Sequence, residues 1–201
     1  MIHTNLNDLA QQIHANAKAK GFWDEPRNTG GVFMLIVSEL GKALEAHRSG
    51  KRADMEQHIS VGHNDSVSDA DWFKISFENC IKDTFEDEIA DVVIRILDWC
   101  AYRNIGVSAS DRLSDFQVSD YDRVGDVLMD VNQCLCVACT NQRSIDFVDS
   151  ERNREAVEEC VNDALIICCN LADAQGFDLI QHIELKMKYN ATRERLHGKK
   201  Y

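Results

Sequence analysis

Apolar positions along the chain recur three and four residues apart in several long runs, which is the spacing of an amphipathic helix. The first run predicts a helix over residues 5–20, and Gly21 ends it. A second helix is predicted over residues 31–47. The predicted apolar stripes consist of Leu6, Leu9, Ile13 and Ala17 in the first helix and of Met34, Val37, Leu40 and Leu44 in the second.

Further helices are predicted over residues 81–103, 123–140, 152–174 and 179–195. Residues 51–70 are polar and favour a loop or a short exposed helix, and residues 107–121 form a connector rich in Ser and Asp. The chain of 201 residues contains one proline, Pro26, which fits long helices because helix interiors exclude proline. The pattern therefore predicts an all-α fold.

The net charge of −12 argues against binding to a nucleic acid polymer, because phosphate backbones select for Lys and Arg. We expect no membrane span, because no run approaches the roughly 18 apolar residues that one requires. The first 22 residues do not have the apolar stretch of an export signal. The eight cysteines are therefore expected to be reduced thiols in the cytoplasm.

Three carboxylates form the clearest candidate for chemistry. Glu88 and Asp91 are three residues apart on one predicted helix and therefore project from the same face. Glu39 on the second helix could complete a site from across a helix pair. Carboxylate oxygens are ligands that Mg²⁺ prefers, so the set predicts a magnesium site, whereas the alternative is a solvated acidic helix face.

Several segments resemble the MazG-like nucleoside triphosphate pyrophosphohydrolases. The similar segments are residues 20–24 (KGFWD), 35–46 (LIVSELGKALEA), 85–95 (FEDEIADVVIR) and 186–190 (KMKYN), with Arg193 and residues 197–200 (HGKK). The resemblance covers residues 1–106 and 176–201. Residues 107–175 are then a helical insertion or a degenerate repeat.

The resemblance implies an all-α helix bundle that cleaves a nucleoside triphosphate (NTP or dNTP) between its α and β phosphates. It also implies that an ExxE…ExxD set of carboxylates, here including Glu39, Glu88 and Asp91, holds Mg²⁺. A homo-oligomer, such as a dimer, is implied as well.

The sequence departs from the family pattern at Lys42, where the ExxE motif would place its second glutamate. Either the ammonium of Lys42 replaces one metal ion and pairs with a phosphate, or the protein is a catalytically silent nucleotide-binding or regulatory relative.

The closing helix and the loop after the first helix supply the predicted substrate-binding residues. Lys186, Asn190 and Arg193 recur at i, i+4 and i+7, so one helical face would present them to the triphosphate. The alternative is a basic C-terminal helix whose charges favour its own dipole. Trp23 could stack on a base or plug one end of the bundle, and the sequence leaves both interpretations open.

The second half of the chain has an apolar pattern like that of the first. Positions equivalent to 39, 42, 88 and 91 are occupied by Asp130, Gln133, Cys160 and Asp163. This set has lost most of its oxygen ligands, so we expect it to be scaffolding. The second half could mimic a partner subunit within one chain.

Overall fold

Helices make up nearly all of the regular structure. The computed structural model of the chain describes residues 5–60, 68–108 and 123–198, and within these ranges it contains eight α-helices and no strand. The helices are α1 (Leu6–Ala19), α2 (Thr29–Arg48), α3 (Met55–Ser60), α4 (Asp69–Cys80), α5 (Phe85–Arg103), α6 (Val124–Ile145), α7 (Glu151–Gln175) and α8 (Leu179–Thr192). The all-α prediction is confirmed. Most of the predicted connector and the last three residues of the basic tail lie outside the described residues.

The region before α5 differs most from the sequence prediction. Helix α4 was not predicted, and α5 begins at Phe85 rather than near residue 81. Asp83 has a φ of 61°, a left-handed conformation that interrupts the helical path between α4 and α5. Thr84 then caps α5, because its hydroxyl accepts a hydrogen bond from the backbone N–H of Asp87 at 3.4 Å.

The buried stripe of α2 is shifted by about one residue from the prediction. Met34 is 64% exposed and Leu44 is 36% exposed, whereas the buried side chains are Phe33, Ile36, Glu39, Leu40, Ala43 and Ala46. The shift matters for function, because it turns Glu39 towards the interior instead of leaving it beside the apolar stripe.

Helices α2 and α5 form an antiparallel pair. The start of α2 meets the end of α5, where the Arg103 guanidinium donates to the Thr29 hydroxyl at 3.2 Å. At the other end, the rings of His47 and Phe85 lie 5.3 Å apart. Helices α6 and α7 form a second pair that packs on α2 and α5, so both pairs share one hydrophobic core with α1 and α8.

A polar clamp fixes one end of these pairs. Asp146, just after α6, accepts hydrogen bonds from the Thr29 hydroxyl at 2.9 Å, from Arg103 at 2.9 Å and from the Gln142 amide at 3.0 Å. Burial raises the pKa of the Asp146 carboxyl, but these hydrogen bonds and the Arg103 charge outweigh it and leave the pKa lowered. We call Thr29, Arg103, Gln142 and Asp146 the Asp146 clamp.

Helices α1 and α8 cover the α2–α5 pair by packing mainly on α5. Helix α8 ends at Thr192, and the following residues turn back to the end of α1, where the Leu196 N–H donates to the Lys20 carbonyl at 2.8 Å. The Lys20 ammonium in turn donates to the Ala191 carbonyl at 2.8 Å. These bonds hold the C-terminal segment against α1.

All eight cysteines of the chain are free thiols, and Cys80, Cys100, Cys168 and Cys169 are buried. Within the described ranges, none of the helices combines the length and the apolar character that crossing a bilayer would require.

Candidate functional site

The structure brings the three predicted carboxylates together between α2 and α5. One carboxylate oxygen from each of Glu39, Glu88 and Asp91 lies within 4.8 Å of the others. Glu39 and Glu88 are buried, at 1% and 3% exposure, while Asp91 is partly open. We call these three residues the acidic cluster. Hard oxygen donors at this separation suit a divalent cation such as Mg²⁺.

Lys42 lies inside this cluster. Its ammonium is 2.5 Å from Glu39 Oε2 and 3.6 Å from Glu88 Oε2. Arg95 approaches the other oxygen of Glu39, with its Nη2 at 2.7 Å from Oε1. Both oxygens of Glu39 therefore already have cationic partners, whereas Glu88 Oε2 is buried without a hydrogen-bond partner among the described residues.

A second group of ion pairs contacts the acidic cluster through Asp91. The Lys186 ammonium on α8 lies 2.7 Å from Asp87 Oδ2 and 2.9 Å from Asp91 Oδ2. Asp87 is fully buried, and its Oδ2 also accepts from the Asp83 N–H at 3.0 Å. Lys186 thereby fixes the orientation of Asp91 while it neutralises Asp87.

The carboxylates of α5 differ in proton affinity. Burial raises the pKa of Glu88 to about 8, although Lys42 opposes the shift. Burial also raises the pKa of Asp87 to about 6. The pKa of Asp91 is lowered, because the charges of Lys186 and Arg95 outweigh its burial. Carboxyls three residues apart are thus tuned in opposite directions, an arrangement that is common in acid–base chemistry.

A cleft of about 310 Å³ opens onto the acidic cluster. Seven basic side chains and five carboxylates line it, although the chain as a whole is strongly acidic. Asn190, also predicted to bind substrate, lines the cleft with its Oδ1 buried and without a hydrogen-bond partner in the described part of the chain. The cleft therefore offers cations and an unsatisfied amide oxygen beside the acidic cluster.

The prediction for Arg193 was wrong in one respect. Because α8 ends at Thr192, Arg193 does not continue the helical face of Lys186 and Asn190. Its backbone is extended, with φ −79° and ψ 156°, and its guanidinium donates to the His197 carbonyl at 3.3 Å. Arg193 still lines the cleft, but from the segment that turns back to α1.

Trp23 does not line the cleft; the neighbouring Phe22 does. The Trp23 ring packs against the hydrophobic core and stacks on Tyr102 at 4.1 Å between centroids. Its indole N–H donates to Asp98 at 3.0 Å. Asp98 was not among the predicted site residues, although its position seven residues after Asp91 on one helix would have placed it on the same face.

The equivalent positions of the second helix pair do not form such a cluster. Asp130 and Gln133 are exposed, and Cys160 and Asp163 are partly buried. Among the described residues, they do not belong to any group of metal-ligand atoms as close as the acidic cluster.

Comparison of the chain with models of protein families, with curated proteins and with solved structures returns no match.

Proposed function

We propose that the protein hydrolyses a nucleoside triphosphate to the monophosphate and pyrophosphate in a Mg²⁺-dependent reaction, as the MazG-like resemblance implies. The observation that carries the proposal is that the carboxylates of Glu39, Glu88 and Asp91 lie close together in a cleft that is also lined with basic side chains. When bound, Mg²⁺ would neutralise phosphate charge and activate a water molecule for attack at phosphorus.

The residues of the chain have distinct roles in this proposal. Glu39, Glu88 and Asp91 would hold the cation, and the lowered pKa of Asp91 favours its ionised form. Lys186 orients Asp91 from a buried position. Lys42 is half exposed, so its ammonium would be within reach of a phosphate oxygen in the cleft.

Asn190 and Arg193 also line the cleft and act on the substrate. Arg193 offers guanidinium donors to the phosphates, and such bonds are strong because donor and acceptor are both charged. Asn190 Oδ1, which is unsatisfied among the described residues, can accept from a sugar hydroxyl or an ordered water. Both residues position the substrate rather than react with it.

A second candidate is a silent nucleotide-binding or regulatory protein. The ammonium of Lys42 occupies the space between Glu39 and Glu88, and Arg95 holds the remaining oxygen of Glu39. If Lys42 stays there in the nucleotide complex, the phosphates meet a fixed ammonium ion instead of a metal ion, and water is not activated.

Pyrophosphate release from a panel of NTPs and dNTPs with Mg²⁺ tests the two candidates. The variants are Glu88→Gln, which keeps the shape but removes an ionisable ligand, and Lys42→Glu, which restores the ExxE pattern. Asp130→Asn is the matched control, because Asp130 is exposed on α6. We expect turnover in the wild type and in Asp130→Asn, and a loss in Glu88→Gln.

The other outcomes distinguish the candidates. Turnover that is present only in Lys42→Glu identifies the natural protein as a silent relative. If none of the proteins turns over and none binds a nucleotide in calorimetry, both candidates are wrong.

A further inference from the structure

The buried carboxylate of Glu39 is shared by two basic side chains from different helices. Lys42, one turn further along α2, has its ammonium 2.5 Å from Glu39 Oε2. Arg95 on α5 donates from Nε to Glu39 Oε1 at 2.9 Å, and its Nη2 lies 2.7 Å from the same oxygen. Because both groups contact one carboxylate, the ammonium and the guanidinium are close together. We call these two residues the Lys42–Arg95 pair.

Both members of the pair keep hydrogen-bond donors that Glu39 does not use. An ammonium has three N–H donors, and Lys42 gives one of them to Glu39. Arg95 uses Nε and Nη2 for Glu39, which leaves the N–H groups of Nη1 for another acceptor. Arg52, by contrast, uses Nε for Glu86 and both terminal nitrogens for Gln175. Arg52 is saturated by the fold, whereas the Lys42–Arg95 pair is able to bind a further acceptor.

The pair is accessible from the cleft. The side chain of Lys42 is 49% exposed and that of Arg95 is 28% exposed, and both line the cleft together with the acidic cluster. Arg27 lines the same cleft, and burial and the charge of Arg95 both lower the pKa of its guanidinium. The two guanidinium groups therefore repel each other, and an anion bound beside Arg95 would relieve this repulsion.

The position of the pair relates it to the acidic cluster. Arg95 is four residues after Asp91 on α5, so the two residues share a face about 6 Å apart along the helix axis. A carboxylate has about four acceptor positions, and the pair fills three of those of Glu39. One position on Glu39 Oε2 is left for a cation. A chain of phosphates that meets a cation at the acidic cluster can therefore reach the pair with its next phosphates.

We propose that the Lys42–Arg95 pair binds the β- and γ-phosphates of the nucleotide, which leave as pyrophosphate, and that Glu39 positions both basic groups. This inference rests on the proposed function. The β- and γ-phosphates carry most of the negative charge of a nucleoside triphosphate. The planar fork of a guanidinium and the point charge of an ammonium both suit phosphate oxygens.

The pair also acts on the bond that breaks. Water forms a bond to the α-phosphorus and releases a proton to the solvent. The bond from that phosphorus to the bridging oxygen breaks, and its electron pair stays on the pyrophosphate. Negative charge therefore grows on the leaving group, where Lys42 and Arg95 stabilise it. Lys42 thus has a role that a glutamate at this position could not perform.

Calorimetry with inorganic pyrophosphate, in Mg²⁺ and separately in a chelator, tests the inference without turnover. The variants are Lys42→Gln and Arg95→Gln. Arg154→Gln is the matched control, because the ion pair of Arg154 with Asp149 is exposed. In Mg²⁺ we expect the wild type and the control to bind equally well. Each of the other variants should bind about 10- to 100-fold more weakly, the range for one lost hydrogen bond between charged groups.

Two further measurements distinguish phosphate binding from a structural role. Arg95→Lys keeps the charge but loses the fork that serves Glu39 and a phosphate together, so its affinity should lie between those of the wild type and Arg95→Gln. Loss of a charge that meets the ligand should also make the affinity less dependent on salt. If Arg95→Gln lowers the free energy of unfolding but leaves the affinity and its salt dependence unchanged, Arg95 is structural and the inference is wrong.

The outcomes separate this inference from the proposed function. Pyrophosphate binding that requires both basic groups, without hydrolysis of any NTP, supports the inference and moves the protein to the silent class. Hydrolysis of an NTP with unchanged pyrophosphate affinity in both variants overturns the inference and leaves the hydrolase proposal intact. Orthophosphate is titrated in parallel, and an affinity equal to that of pyrophosphate overturns the assignment to two phosphates. Absence of pyrophosphate binding by the wild type in both conditions also overturns the inference.

Discussion

The α2–α5 and α6–α7 pairs share one core, yet among the described residues such a cluster of carboxylates is found in the α2–α5 pair and not in the α6–α7 pair. Helices α1 and α8 pack over α5, and α8 supplies Lys186, which pairs with the buried Asp87. The helices in extensive contact with α6 and α7 are α2, α5 and each other, and Asp130 on α6 remains exposed. The difference between the two pairs is therefore the presence of α1 and α8 over α5, where the pKa values of the carboxyls are shifted.

The largest expected effect is the loss of stability when a buried ion pair, rather than an exposed one, is removed. Lys186→Met should lower the free energy of unfolding by about 3–5 kcal/mol, because it leaves Asp87 buried and unpaired. Arg154→Met, which removes an exposed pair with Asp149 on the α7 side, should cost less than about 1 kcal/mol. Urea denaturation measures both values. A double variant with Asp87→Asn should recover part of the Lys186→Met loss, and equal costs for the two single variants would contradict the comparison.

Magnesium should bind at the acidic cluster and thereby stabilise the folded protein. At 100 times its dissociation constant, a ligand specific for the folded state adds about 2.7 kcal/mol. We expect Mg²⁺ to raise the melting temperature of the wild type and of Asp163→Asn, and to leave Glu88→Gln unchanged. A shift that persists in Glu88→Gln would place the binding site elsewhere on the molecule.

Stability should also depend on pH through the buried carboxyls of Asp87 and Glu88. The folded pKa values of Asp87 and Glu88, about 6 and about 8, are above their unfolded values of 3.8 and 4.5. Each group therefore contributes stability at low pH that is lost as the pH rises through its folded pKa.

Without divalent cations, the free energy of unfolding should fall between about pH 5 and pH 8, with a slope of up to about 1.4 kcal/mol per pH unit for a single group. Urea denaturation in a chelator at several pH values measures this slope. Glu88→Gln should flatten the upper part of the curve, and Asp163→Asn should not.

The smallest expected effect on stability concerns the capping residues at the starts of α5 and α7. Thr84 caps α5 with its hydroxyl, so Thr84→Ala should cost about 1 kcal/mol. Ser150 precedes α7 without a side-chain capping bond, so Ser150→Ala should change stability by less than about 0.5 kcal/mol. Thermal unfolding of both variants measures the two changes in stability. A larger loss in Ser150→Ala would mean that the start of α7 is stabilised by contacts other than its cap.

Periodicity correctly placed Glu88 and Asp91 on one face of α5, because residues three apart on any regular helix share a face. For α2, periodicity predicted a buried stripe about one residue away from the observed one. Met34 and Leu44 are as apolar as the buried side chains, so the pattern alone did not distinguish them. Spacing alone also could not show that Arg193 leaves the helix, because bonds between the C-terminal segment and Lys20 decide where α8 ends. The role of Lys186 in holding Asp87 required the tertiary contact between α8 and α5.

The Asp146 clamp has a consequence for the dynamics of the whole bundle. It ties the start of α2, the end of α5 and the end of α6, so opening one helix pair at this end removes hydrogen bonds from the other. The amide hydrogens of both pairs should therefore exchange with solvent as one cooperative unit, at similar protection, and not as two separate foldons. Asp146→Ala should uncouple them, so that the amides of α6 and α7 exchange before those of α5.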